Sequence, residues 1–287
     1  MAMKARNLPV LGPQGFVNLA FWEWEGPPGA PTVLCVHGLT RNGRDFDFLA
    51  EALSPRFRVV CPDLPGRGRS DWLDDARAYG FPFYLAVIGA LYARLDVQTV
   101  HWVGTSMGGL IGMLFAALPK NPVRRLVLND IGPVLAKEGL ERIGRTVGRD
   151  PGFSNRQELE AHLRDAYAGF GPLSNAQWRH LTAHAGRTRG DGKLGLAYDP
   201  KIGDAFRAQE PGAARRDVDF WQFYDQITCP TLVIRGAQSD VLRASDAAAM
   251  KERGPHAQII ELPGVGHAPA LMADDQIAII RDFLLAG

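Results

Sequence analysis

Three side chains of this 287-residue chain have the types and settings that nucleophilic catalysis needs. Ser106 lies in Val103-Gly104-Thr105-Ser106-Met107-Gly108-Gly109. Asp240 ends the run Arg235-Gly236-Ala237-Gln238-Ser239-Asp240, and His267 lies in Gly264-Val265-Gly266-His267-Ala268-Pro269. A serine hydroxyl attacks a carbonyl well only when a base within hydrogen-bond reach takes its proton, and the base needs a carboxylate to orient it. Ser106 as nucleophile, His267 as base and Asp240 as acid supply those three roles. Asp130, after Leu128-Asn129, is a second carboxylate in a comparable setting; Asp240 is the preferred acid.

The elements around these residues would bring them together. The apolar run Thr99 to Val103 reads as a strand, and Leu110 to Ala117 as a helix. Strand, small-residue turn and helix form the context in which Gly-x-Ser-x-Gly makes a nucleophile elbow. Gly104 and Gly108 leave room for a close approach of strand and helix. The Met107 N–H then sits at a helix N-terminus, where unpaired donors and the dipole favour an anion. A developing oxyanion needs a second donor. His37-Gly38-Leu39-Thr40 follows the apolar run Thr32 to Val36, and the peptide N–H of Leu39 is that candidate. Asp240 follows the strand-like run Thr231 to Gly236, and His267 follows Ala257 to Leu262. Both should therefore lie at the same sheet edge as Ser106.

Strand-like runs also occur at Gly15 to Glu25, Phe57 to Cys61 and Arg125 to Asn129, with helical spacings between them. Such alternation implies a mostly parallel sheet covered on both faces. The rhythm changes at residue 134. From there to about 220 the sequence reads as short amphipathic helices broken by Gly and Pro. The expected organisation is a core of residues 1–133 and 221–287, with residues 134–220 inserted as a helical lid over the edge where such sheets bind ligands.

Taken together, His37-Gly38, Asp63-Leu64-Pro65-Gly66-Arg67-Gly68-Arg69-Ser70, Gly104-Thr105-Ser106-Met107-Gly108-Gly109, Ser239-Asp240 and Gly266-His267 resemble the α/β-hydrolase-fold superfamily, in its cap-bearing, lipase/esterase-like form. The resemblance covers nearly the whole chain outside the lid. It implies an α/β fold with a mostly parallel eight-stranded sheet, with Ser106 as nucleophile, His267 as base, Asp240 as acid and a covalent acyl-enzyme on Ser106. The order Ser, Asp, His is the one such folds use, although some members carry the acid where Asp130 stands. The implied activity is a carboxylesterase-type serine hydrolase acting on small to medium esters. Carbon–carbon bond hydrolases, perhydrolases and acyltransferases share the triad, and a receptor-like member would use the pocket for binding alone.

His37 and Gly38, with Trp178 and Trp221, are expected beside the substrate. The loop from Asp63 to Ser70 reads as a structural turn. The lid carries Arg187, Arg189, Arg215 and Arg216 but also Asp191, Asp199, Asp217 and Asp219, so it offers no net basic pocket. His162, His180 and His184 share a lid region, yet no carboxylate stands at metal-ligand spacing from them, so neither metal nor other cofactor is expected. A net charge of +1 without a basic tract points away from nucleic acid and anionic membranes. The odd cysteine count, Cys35, Cys61 and Cys229, suits buried free thiols in a cytoplasmic protein. A monomer or homodimer acting on a small ester is the expected state.

Overall fold

The computed structural model describes residues 2–204 and 216–286; the Arg215 singled out above lies outside them. Eight strands form one sheet in the order β1-β2-β4-β3-β5-β6-β11-β12. β1 (Met3–Gly12) and β2 (Gly15–Trp24) form an antiparallel hairpin, and β2 pairs antiparallel with β4 (Arg58–Pro62). The hairpin begins earlier than the aromatic stretch suggests. Met3 to Leu11 alternates few apolar residues, because that edge strand is largely exposed. From β4 onward the pairing is parallel, through β3 (Thr32–Val36), β5 (Val100–Thr105), β6 (Val123–Asn129), β11 (Thr231–Gly236) and β12 (Gln258–Leu262).

Successive side chains of a strand point to opposite faces, so a strand covered on both sides must be apolar throughout. β3 shows this. Leu34 and Val36 pack into the core beneath α2 (Phe81–Leu95) and α3 (Met107–Ala116), whereas Val33 and Cys35 join the core beneath α1 (Asp47–Leu53) and the C-terminal helix Asp274–Leu285. Cys35, Cys61 and Cys229 are all free.

Between β6 and β11 the chain forms α4 (Lys137–Thr146), α5 (Arg156–Ala166) and α6 (Asn175–Ala185), with the 3-10 turn Ala168–Phe170 joining α5 to α6. Short ribbons accompany these helices: β7 (Val134–Leu135) with β10 (Val218–Asp219), and β8 (Gly186–Thr188) with β9 (Leu194–Leu196). Two- and three-residue strands leave no periodic signature, so the sequence reads there as helices alone. β7 pairs antiparallel with β10, Val134 opposite Asp219. The insertion has its own core of Val147, Phe153, Leu159, Leu163, Trp178 and Leu181, against which Leu39 packs from the sheet side.

Candidate active site

Ser106 connects β5 to α3 with φ +52° and ψ −115°. A side chain in that region costs roughly 1–3 kcal/mol and needs surrounding structure to hold it. The Ser106 N–H donates to the Asn129 carbonyl at 3.0 Å, and the Ser106 carbonyl accepts from the N–H groups of Gly109 and Leu110 at 2.9 and 3.0 Å. The glycines of the motif answer to space. A Cβ on Gly104 would stand 2.4 Å from the Gly108 carbonyl oxygen, and one on Gly108 only 1.9 Å from that of Val36.

The Ser106 hydroxyl lies 2.8 Å from His267 Nε2, and His267 Nδ1 lies 2.8 Å from Asp130 Oδ2. With a carboxylate as acceptor, Nδ1 carries the imidazole proton and Nε2 is left to accept from Ser106. Asp130 is fully buried, at the C-terminal end of β6, the strand beside β5. Its Oδ1 accepts the Gly236 N–H at 2.7 Å and its Oδ2 the Ser239 hydroxyl at 2.5 Å. A buried carboxylate requires such a donor set.

The preferred acid of the sequence reading is corrected by this geometry: Asp130, and not Asp240, hydrogen-bonds His267. Ser239 and Asp240 are consecutive and point to opposite sides of the β11 loop. Ser239 turns in to Asp130, while Asp240 turns out to Arg142 of α4, whose Nε and Nη2 bond its two oxygens at 2.5 and 2.9 Å. The Asp240 side chain is 36% exposed. Its carboxyl group is held below the usual aspartate range because the bonds and charge of Arg142, with a smaller contribution from His267, outweigh partial burial, the largest single influence.

Two supporting residues escaped the sequence reading. Ser239 is one, and Asn129 the other. The Asn129 amide donates to Thr105 Oγ1 at 3.0 Å and to the Pro269 carbonyl at 2.8 Å. It thereby ties the residue before Ser106 to the loop carrying His267. A polar residue closing the apolar run Leu126 to Leu128 was the available signal.

The peptide N–H groups of Leu39 and Met107 donate to no protein acceptor among the described residues. The Gly38–Leu39 peptide is fixed by its carbonyl, which accepts from His37 Nδ1–H at 2.7 Å and from the Arg41 N–H at 3.3 Å. Because the peptide is planar, fixing the carbonyl fixes the opposed N–H. His37 Nε2 in turn accepts the Leu64 N–H at 3.0 Å. Burial drives the His37 pKa down to about 3, with Arg67 and Arg41 acting in the same sense against the Gly38 bond, so this histidine is neutral. Fully buried Arg67 donates to the Leu39 carbonyl at 2.8 Å, to that of Pro65 at 2.8 Å and to the Tyr84 hydroxyl at 2.6 Å. Asp63 accepts the N–H groups of Gly43 and Arg69 at 2.7 and 2.9 Å. The Asp63 loop is a buried brace under the Gly38–Leu39 peptide.

A cavity of about 30 Å³ lies beside these residues, lined by His37, Gly38, Thr105, Phe170, Leu181 and Pro269 among others. It has room for a water or two. Trp178 and Trp221, expected beside the substrate, do not line it. Trp178 belongs to the insertion's own core, and Trp221 packs edge-on against Tyr224 with the Arg253 guanidinium 3.9 Å from its ring centre. Arg187 and Arg189 both pair with Asp150, which leaves neither as a free cation.

Residues 31–273 match the family model of the alpha/beta hydrolase fold. The chain belongs to that family and is a hydrolase of it. It is similar to the 3-hydroxybutyrate-oligomer hydrolase of Cupriavidus necator, 46% identical over 277 residues, covering 95% of this chain and 94% of that one. A pimeloyl-[acyl-carrier protein] methyl ester esterase of Xanthomonas campestris is 28% identical over 250 residues, covering 86% of this chain and 92% of the relative. Among solved structures, an alpha/beta hydrolase from Novosphingobium aromaticivorans is 37% identical with a TM-score of 0.87, each chain covered to 99%. No helix among the described residues is long and apolar enough to cross a membrane.

Proposed function

We propose that the protein is a serine esterase whose substrates are short linear oligomers of 3-hydroxybutyrate, cleaved through an acyl-enzyme on Ser106. The observation that carries the chemistry is the unbroken hydrogen-bond chain from Ser106 through His267 to Asp130. The substrate class is taken from the Cupriavidus necator relative, which matches nearly end to end.

In this reading the Ser106 oxygen adds to the ester carbonyl while His267 Nε2 takes the hydroxyl proton. The Asp130 carboxylate stabilises the imidazolium. The N–H groups of Leu39 and Met107 receive the oxyanion; such a donor contributes about 3–4 kcal/mol to transition-state stabilisation. The carbon–oxygen bond then breaks, and the departing 3-hydroxyl takes the proton from His267. Water, deprotonated by the same imidazole, attacks the acyl-enzyme and releases the free acid.

The test is labelling with a fluorophosphonate, followed by turnover of the 3-hydroxybutyrate dimer and trimer. Stoichiometric labelling that vanishes in Ser106→Ala, with sustained release of 3-hydroxybutyrate, is the expected result. Folded protein that takes no label would overturn the nucleophile. Labelled protein that turns over simple esters but neither oligomer would overturn the substrate class.

A further inference from the structure

His180 and His184 stand at i and i+4 on α6, so they share one face of the helix. Asp47, the first residue of α1, faces them from the core. One ligand atom from each of the three lies within 4.8 Å of the other two, and all three residues are half-buried. The sequence reading found no carboxylate at metal spacing because this one comes from a residue more than a hundred positions away.

We propose that Asp47, His180 and His184 form a binding site for one divalent transition ion of the zinc class, joining the insertion to the sheet domain. Two imidazoles and a carboxylate are the donor set of such ions, whereas magnesium and calcium take oxygen ligands. The spacing fits. Ligand bonds of about 2.0–2.1 Å in a tetrahedron place ligand atoms roughly 3.4 Å apart, and His180 Nε2 lies 3.5 Å from Asp47 Oδ2. A fourth position is left for water.

Two existing contacts would yield to the ion. His180 Nε2 exchanges its 2.9 Å bond to the Arg44 carbonyl for the metal. The Arg44 guanidinium, which bonds Asp47 through Nε at 2.9 and 2.8 Å, gives up part of that carboxylate. It keeps its place over the Trp22 ring, 4.5 Å from the centroid. The surroundings hold the ligands in register. Asn42 Nδ2 donates to the His184 carbonyl at 2.8 Å, and Phe48 packs edge-on against His180. The site does not depend on the reading of Ser106.

Calorimetric titration of the chelator-treated protein with ZnCl₂ tests it, with MgCl₂ as control and a thermal melt beside each titration. Expected are one equivalent of Zn²⁺ bound, a rise in Tm, no response to Mg²⁺, and at least tenfold weaker binding in folded His184→Gln and Asp47→Asn. Absence of Zn²⁺ binding by wild type, or unchanged affinity in both variants, would overturn the proposal. Should the variants fail to fold, the visible spectrum of the Co²⁺ complex of wild type decides. Intense tetrahedral bands support the site, and the weak spectrum of an octahedral aqua ion overturns it.

Discussion

Ser106 occupies a backbone conformation that a Cβ resists, and four hydrogen-bonded neighbours hold it there. Glycine adopts that conformation freely. Ser106→Gly and Ser106→Ala should both lose activity by about 10⁴-fold or more, but they should part in stability. Denaturant melts should show Ser106→Gly more stable than Ser106→Ala by about 1 kcal/mol or more. Equal stability would contradict the strain. At this scale the sequence was most legible where one residue type alone serves. Ser106 and the glycines at 104 and 108 were readable because their spacing encodes the turn, and His267 because it follows the strand-like run Ala257 to Leu262. The acid was not. Asp130 and Asp240 each follow a strand, and an aspartate in either loop has the chemistry; only the side-chain directions of Ser239 and Asp240 separate them.

The elements around the site explain why the carboxylate that bonds His267 comes from the end of β6. β6 lies directly beside β5, whereas β11 is one strand further out. The β11 loop instead contributes the Gly236 N–H and the Ser239 hydroxyl as donors to Asp130. Ser239→Ala removes one donor from a buried carboxylate and should cost about 1–3 kcal/mol in stability, with a loss in kcat as His267 loosens; restoration by Ser239→Thr would mark a positioning role. The turn Ala168–Phe170 of the insertion also reaches the loop that carries His267. The Gly266 N–H donates to the Gly169 carbonyl at 2.8 Å, and a Cβ on Gly169 would stand 3.2 Å from the His267 carbonyl oxygen. Gly169→Val should therefore lower kcat more than it lowers Tm, and unchanged kinetics would contradict that contact. Parallel strands announced themselves as unbroken apolar runs. The β7–β10 and β8–β9 ribbons did not, because strands of two or three residues carry no period.

Across the whole molecule, three imidazoles are held neutral by burial. His37 and His184 titrate near 3 and His101 near 4, against 6.5 for an ordinary histidine. The unfolded chain takes up these protons first. Their contribution to stability is complete above about pH 6.5 and is lost as pH falls toward 3 to 4. Asp63 acts in the opposite sense. Burial raises it to about 6 against the bonds from Arg69, Gly43 and Trp22, so its contribution is present at low pH and lost as pH rises through about 6. Between pH 4 and 6 the histidines outnumber it, so the four groups together should lower stability on acidification. His101 lies on β5 at the end away from Ser106, buried against Phe57. Unfolding of His101→Phe between pH 7 and 4.5 should show a slope smaller by about one proton. An unchanged slope would contradict the burial argument. Which histidines are neutral depends on packing from distant elements, which no local pattern reveals.

Asp130 completes the hydrogen-bond chain from Ser106, while Asp240 serves the contact with Arg142. The most direct test is kcat/KM for the 3-hydroxybutyrate trimer in Asp130→Asn and Asp240→Asn, measured beside wild type. An amide at the acid position presents the wrong partner to His267 and in a comparable triad lowers kcat about 10⁴-fold. Expected is a loss of about 10³–10⁴-fold in Asp130→Asn and of less than about tenfold in Asp240→Asn. The reverse order would return the acid to Asp240.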